Sequence, residues 1–344
     1  MTQKSFWIFI LVLVVLFARC GESRKNQRKK HFLHKGNLAY KEKMYQDAIR
    51  YYQEAINEDS AFAQAYNNLG IVYFKTKKLE DALIAFNHSI DFDLNFTDAY
   101  YNRSNVLHER RDFEKALSDL NRIQYKYADK EAIHFSKGLV FFGIKQFDSA
   151  EYSFSKALEL DSANTENYLN LASTKYYKEQ YDDAAELAFQ CLKLDQSSSD
   201  AFNILGMIYA KQNEDEKSLE AYNEGLKFES NNAYILNNRG FLYLSQNELN
   251  KALADINESI IINSDNPWAY RNKGIYYYNL GDYDNAKRLL LQSIEMDKLM
   301  EFSYYYLGQI YLDQGDLLKA CEAFGSSTRL GEIEGQKAYR QYCQ

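Results

Sequence analysis

The stretch AYNNLGIVYFKTKKLEDALIAF, Ala65 to Phe86, holds two apolar runs split by the polar turn KTKK, with apolar side chains three and four residues apart in each run. That spacing collects the apolar groups on one face of an α-helix, so it predicts two amphipathic helices joined by a tight turn. The block returns as AYYNRSNVLH from Ala99, AFNILGMIYA from Ala201 and AYRNKGIYYY from Ala269, always at multiples of 34 residues and without an insertion. Counting position 1 from Lys29 gives nine consecutive units, starting at 29, 63, 97, 131, 165, 199, 233, 267 and 301 and ending at residue 334. The single proline, Pro267, and the absence of any Pro-, Gly- or Ser-rich stretch leave no place for a flexible linker between units.

Within each unit a very small residue recurs at position 8, for example Gly36, Gly70, Ser104, Gly206 and Gly308. Another recurs at position 20, for example Ala48, Ala82, Ser218 and Ala320. Large apolar or aromatic side chains fill positions 4, 11 and 24, as in Tyr66, Tyr73 and Phe86. The small residues predict a first helix (helix A) and a second (helix B) whose backbones approach closely, with position 20 facing position 8. Gly281 in GDYDNA and Gly315 in GDLLKA are placed to end helix A, and the aspartate after each is placed to cap helix B.

A 34-residue period with these residues resembles the tetratricopeptide repeat, and the resemblance covers about nine tenths of the chain. It implies an all-α solenoid, a right-handed superhelix of about nine helix-turn-helix units. The usual proline at position 32 is absent, its place taken by Ser60, Ser162 and Ser230 among others. Because a solenoid hides its core only by stacking, its end units need polar caps, and residues 335–344 are expected to form a short C-terminal capping helix.

The chain has 344 residues, 46% hydrophobic and 26% charged, as expected of a folded protein. The formal charge of −7 conceals an asymmetry: residues 1–30 carry +6 and the remainder −13. The repeats therefore lack the concentrated positive surface that nucleic-acid binding requires. Residues 1–28 are a separate object. Lys4 precedes an unbroken apolar run from Phe6 to Ala18, followed by Arg19, Cys20 and the basic SRKNQRKK. As a helix this run would span only about 20 Å, short of a bilayer core, which favours a signal-peptide segment over a transmembrane span. A cysteine directly after the run resembles a bacterial lipoprotein signal and implies lipid attachment at Cys20, hence a cell-envelope lipoprotein. Arg19 departs from that pattern, and the basic residues beyond the run fit an uncleaved anchor that leaves the body facing the cytoplasm.

No catalytic constellation is legible. The histidines, His31, His34, His88, His108 and His134, form no HExxH or Ser/His/Asp pattern, so no catalytic residue, metal or cofactor is expected. Cys20, Cys191, Cys321 and Cys343 imply neither a disulfide framework nor a zinc site, and Cys191 is expected to pack in the core. DFDLNFTD, Asp91 to Asp98, lacks the glycine and final glutamate of a calcium loop and is expected to be an inter-repeat turn.

What remains is the other face of helix A. Position 6 is asparagine in five of the nine units: Asn68, Asn102, Asn170, Asn238 and Asn272. Asparagine is a poor helix former, so its recurrence points to the amides. The resemblance implies that this stripe lines a concave groove in which such amides grip the backbone of an extended peptide. Asn68, rather than Asn67, is then the groove residue of its unit; contact with the neighbouring repeat is the alternative use. Position 2 carries Tyr234, Trp268 and Phe302 in successive units, an aromatic strip suited to apolar or proline-rich segments or, alternatively, to packing between repeats. The carboxylate clamp known in the family is not matched, because Leu33, Asp98 and Asn102 stand where its basic residues belong. The expected function is a non-enzymatic, membrane-tethered scaffold binding proteins or extended peptides. A regulatory or substrate-presenting arm of a separately encoded enzyme is the alternative.

Overall fold

The computed structural model describes residues 24–126 and 130–343. Nineteen helices and no strand occur among the described residues. They run as A/B pairs: α1 (24–41) and α2 (Tyr45–Glu58), α3 (Ala63–Lys75) and α4 (Leu79–Phe92), α5 (Thr97–Glu109) and α6 (Phe113–Gln124), α7 (Glu131–Gly143) and α8 (Phe147–Leu160). The series continues with α9 (Thr165–Tyr177) and α10 (Tyr181–Leu194), α11 (Ser199–Lys211) and α12 (Asp215–Phe228), α13 (Ala233–Ser245) and α14 (Leu249–Ile262), α15 (Pro267–Asn279) and α16 (Tyr283–Met296). It ends with α17 (Ser303–Asp313), α18 (Leu317–Arg329) and α19 (Ile333–Tyr342). The all-α helix-turn-helix solenoid is therefore as expected. Cys20 and the apolar run before it lie outside the described residues, and α1 starts at residue 24, inside the segment assigned to the anchor. No helix among the described residues is long and apolar enough to cross a membrane.

The chain forms two compact units, one reaching to Asn167 and one starting at Tyr168. In the first, Phe86, Leu120, Ile123 and Val140 lie in a continuous core with Tyr100 and Leu107. In the second, Ile204, Leu205 and Ile208 pack with Ala172, Ala184 and Ala188, and Leu290, Leu307 and Ile310 continue the pattern toward the C-terminus.

The packing of A on B adds a second partner to the expected one. Position 8 is faced by position 20, where Ser218 Oγ donates to the Gly206 carbonyl at 2.7 Å, and also by the large side chain at position 24. A Cβ on Gly70 would lie 2.7 Å from Phe86 Cε1, and one on Gly138 2.5 Å from Phe154 Cδ1. Position 20 contributes its backbone: the carbonyl oxygens of Ala252 and Ala286 stand 3.3 Å from the Cβ sites of Gly240 and Gly274. A ring lying on bare backbone satisfies close packing without a void, which explains why tiny and large residues recur at a fixed offset.

The turns have a common construction. Position 15, just after helix A, is left-handed in every repeat. Only Gly281 and Gly315 are glycines there; Lys43, Lys77, Arg111, Lys145, Glu179, Asn213 and Asn247 adopt the same conformation with φ between 58° and 61°. A side chain in this region costs about 1–2 kcal/mol, so seven turns are held by the packing of the helices they join. Asp282 and Asp316 cap helix B as expected, accepting from the N–H groups of Asn285 and Lys319. Between repeats, Asp59, Asp93, Asp161, Asp195, Asn263 and Asp297 each accept the N–H two residues on at 2.9–3.1 Å, which makes the inter-repeat turn an Asx turn. The segment around Asp93 is one of these.

At the C-terminus α19 packs on α18, burying Ala338 against Ala320 and Phe324. A disulfide joins Cys321 of α18 to Cys343 just beyond α19, where the sequence implied no disulfide framework. The pair are 22 residues apart and meet only because α19 folds back on its predecessor. Cys191 is buried, with its thiol 3.6 Å from Ser198 Oγ.

Candidate functional site

The position-6 asparagines are wired to the preceding repeat. Asn102 Nδ2 donates to Asn67 Oδ1 at 2.9 Å, Asn238 Nδ2 to Asn203 Oδ1 at 2.9 Å, and Asn272 Nδ2 to Asn237 Oδ1 at 2.8 Å. Asn68 Nδ2 donates instead to Asn37 Oδ1 at 2.9 Å, which also accepts from the Tyr52 hydroxyl. Asn67 and Asn237 in turn donate to the Oδ1 of Asn68 and Asn238. Asn67 is thus buried at the hub of an inter-repeat relay, a role the sequence reading did not assign to position 5. Asn68, Asn102 and Asn238 remain half-buried on the helix surface. Asn170 is half-buried in α9, with its main-chain carbonyl accepting from Thr174 Oγ1 at 2.7 Å. Asn272 has no exposed surface and sits inside the interface between repeats.

A second constellation went unread in the sequence. Arg103 makes two bonds to Asp119, Nε to Oδ2 at 2.7 Å and a terminal nitrogen to Oδ1 at 2.6 Å, and its other nitrogen reaches Asn87 Oδ1 at 2.7 Å. Arg239 repeats this on Asp255 and Asn223 with bonds of 2.7–2.9 Å. The Asp255 carboxylate holds the Arg239 guanidinium above its usual pKa, against the opposing effect of burial. The legible signal was spacing: each arginine has an aspartate sixteen residues after it and an asparagine sixteen before. These brackets clamp helix A of one repeat to helix B of its own and of the previous repeat.

Of the aromatic strip, Tyr234 and Trp268 stand 49% and 39% exposed at the heads of α13 and α15, which pack side by side. Phe302 differs. It is half-buried with a left-handed backbone, φ 64°, because α17 starts two residues later in its repeat than the preceding A helices do. In the second unit Tyr177, at the end of α9, is more than a third exposed, yet desolvation pushes its phenol up and the charge of Glu301 pushes it further. Arg271 acts on the same phenol in the opposite direction. Among the described residues no group of three His, Cys, Asp or Glu is placed to hold a metal.

Residues 33–93 and 271–328 match a family profile described as tetratricopeptide repeat, and residues 206–246 match one described as TPR repeat. No curated protein matches the chain. Among solved structures, the chain is similar to a tetratricopeptide repeat protein from Parabacteroides merdae, with a TM-score of 0.62 and 18% identity over 69% of this chain and 94% of that one. It also resembles a chain of the Cut9-Hcn1 hetero-tetramer of the APC/C, with a TM-score of 0.60 and 16% identity over 87% of this chain but only 59% of that one. PilF of Pseudomonas aeruginosa aligns with a TM-score of 0.54 and 14% identity over 61% of this chain and 96% of that one. These likenesses establish the fold. Proteins built on this repeat serve generally as protein-interaction scaffolds.

Proposed function

Since the chain carries tetratricopeptide repeats and has their all-α solenoid fold, we propose that it is a non-enzymatic scaffold holding extended segments of partner proteins against its helix A faces, tethered to a membrane at Cys20. The observation that carries this reading is the pairing of two exposed aromatic side chains, Tyr234 and Trp268, on adjacent helices of the second unit. Large aromatic groups left partly in water at neighbouring positions supply contact area at little entropic cost, as interface anchors do. Asn68, Asn102 and Asn238 each keep a second amide hydrogen after their inter-repeat bonds, and Asn170 occupies the same position in repeat 5. That spare capacity suits the backbone of an extended peptide. Phe302 closes the aromatic strip, and Asn272 holds its repeat against the one before.

Partners captured with the anchored full chain and identified by mass spectrometry supply the ligand for the test. Trp268→Ala and Tyr234→Ala are each expected to weaken that binding about tenfold or more, with melting unchanged, because partly exposed side chains contribute little to folding. Unaltered affinity in both variants would remove the aromatic strip from the interface. Recovery of a single catalytic partner, rather than several envelope proteins, would favour an arm of a separate enzyme.

The tether reading rests on Cys20 following the apolar run. An oxidising compartment is supported independently by the Cys321–Cys343 bridge, since structural disulfides persist outside the reducing cytosol. Cys20→Ala is expected to shift the protein from the membrane to the soluble fraction and to abolish incorporation of labelled fatty acid. Unchanged fractionation, with no label in the wild type, would favour an uncleaved anchor instead.

A further inference from the structure

Arg271 follows two successive position-5 asparagines, Asn203 and Asn237, and ends their run. In repeats 2, 6 and 7 position 5 is an asparagine that accepts the amide of the next repeat, as Asn67, Asn203 and Asn237 do. In repeat 8 it is an arginine, which can only donate, and position 6 of the following repeat is Tyr306. The relay ends there, and a cation stands where it ends.

That cation is 93% buried, with a relative exposure of 7%. Its Nε donates to Asn272 Oδ1 at 3.0 Å, and its guanidinium carbon lies 5.3 Å from the centre of the Phe241 ring and 6.0 Å from that of Phe302. Among the described residues the terminal nitrogens make no ion pair and no hydrogen bond, unlike those of Arg103 and Arg239. Burial lowers the Arg271 pKa, while Glu301, Tyr177, Tyr306 and Glu332 act on it in the opposite direction. An unpaired buried charge is costly, and a bound anion would offset that cost.

The Phe302 ring beside Arg271 is held in place by a strained backbone. Phe302 adopts φ 64°, uncommon for a bulky residue, and its N–H is fixed by Glu332 Oε1 at 2.6 Å. Glu332 is itself buried and accepts from Ser327 Oγ, which commits its carboxylate to holding the Phe302 turn.

We infer that the Arg271 fork, set against the rings of Phe241 and Phe302, is the receptor for a single carboxylate carried by a bound peptide. This rests on the scaffold reading and names the chemistry of its ligand. A planar carboxylate matches two parallel N–H donors and fits beside aromatic faces. A phosphate dianion brings up to twice the charge that the single Arg271 fork offsets.

The test uses the full chain labelled with ¹⁵N-arginine, with the Arg271 Nε–Hε resonance identified by its loss in Arg271→Lys. N-acetylglutamate α-amide presents a side-chain carboxylate, N-acetylglycine presents a terminal one, and N-acetylglutamine amide presents neither. At constant ionic strength at least one acid is expected to move the resonance saturably, and the amide to need more than tenfold higher concentration. Whichever acid saturates first assigns the source. Equal response to acid and amide, no response, or tighter binding of inorganic phosphate would overturn the inference. Arg271→Met gives a second reading: it should melt at or above the wild-type temperature, since it removes an unpaired buried charge. A marked fall would mean that the fork is paired internally, and the receptor role would be lost. Because the probes are small acids, carboxylate binding stands or fails separately from capture of a protein partner.

Discussion

Replacing Gly206 by leucine is expected to destabilise the second unit by about 3 kcal/mol, the upper end of overpacking costs. The Cβ alone would come within 2.5 Å of Tyr222 Cδ1, and Tyr222 is 2% exposed, so the ring has no solvent to move into. Relief requires α11 and α12 to separate, which also opens the cluster that Tyr222 forms with Ile235 and Leu242. Melting should fall, and amide exchange should accelerate most in α11, α12 and α13, because stability in a solenoid is a chain of neighbour interactions. Gly325→Ala is the control: its Cβ would lie 3.4 Å from Tyr339, an ordinary contact, and alanine is the better helix former by about 1 kcal/mol. A control as damaging as Gly206→Leu, or exchange that rises evenly through the chain, would contradict the ring-on-backbone account.

Asp255→Ala is expected to cost a comparable amount, about 3 kcal/mol, by leaving Arg239 with Asn223 alone. The two side chains are 19% and 12% exposed, so water replaces the lost carboxylate poorly. The asymmetry is the diagnostic: Arg239→Met with Asp255→Leu should cost much less than either single change, because the penalty lies in the orphaned charge and not in the absence of the pair. Urea denaturation of the three variants gives that comparison, and simple additivity would show that the bracket is a surface pair of little consequence. Asp119→Ala should behave alike, since Arg103 is held by the same geometry in the first unit.

The helical repeat, its register and its small and large positions were legible because they are local. A 3.6-residue apolar period and a 34-residue recurrence survive in one dimension, and the size of Gly206 or Phe86 can be read without knowing what it touches. Even so, the reading gave position 8 only the partner at position 20 and missed the large side chain at position 24 that fills the rest of the space. The left-handed turn was visible only at Gly281 and Gly315, since Lys77 or Glu179 reveals nothing about its backbone until the flanking helices impose it.

The candidate site divides along the same line. Sequence alone determined that asparagines recur at position 6 and aromatics at position 2, because composition at a fixed register needs no coordinates. Only the tertiary structure decided which amides are spent between repeats, that Asn272 is enclosed while Asn238 is not, that Cys321 meets Cys343, and that Arg271 is buried with no ion pair among the described residues. An amide or guanidinium carries the same donors wherever it lies. Its role depends on which group a neighbouring helix, 16 or 35 residues away, brings to within about 3 Å, and that distance is set by the packing of the whole unit.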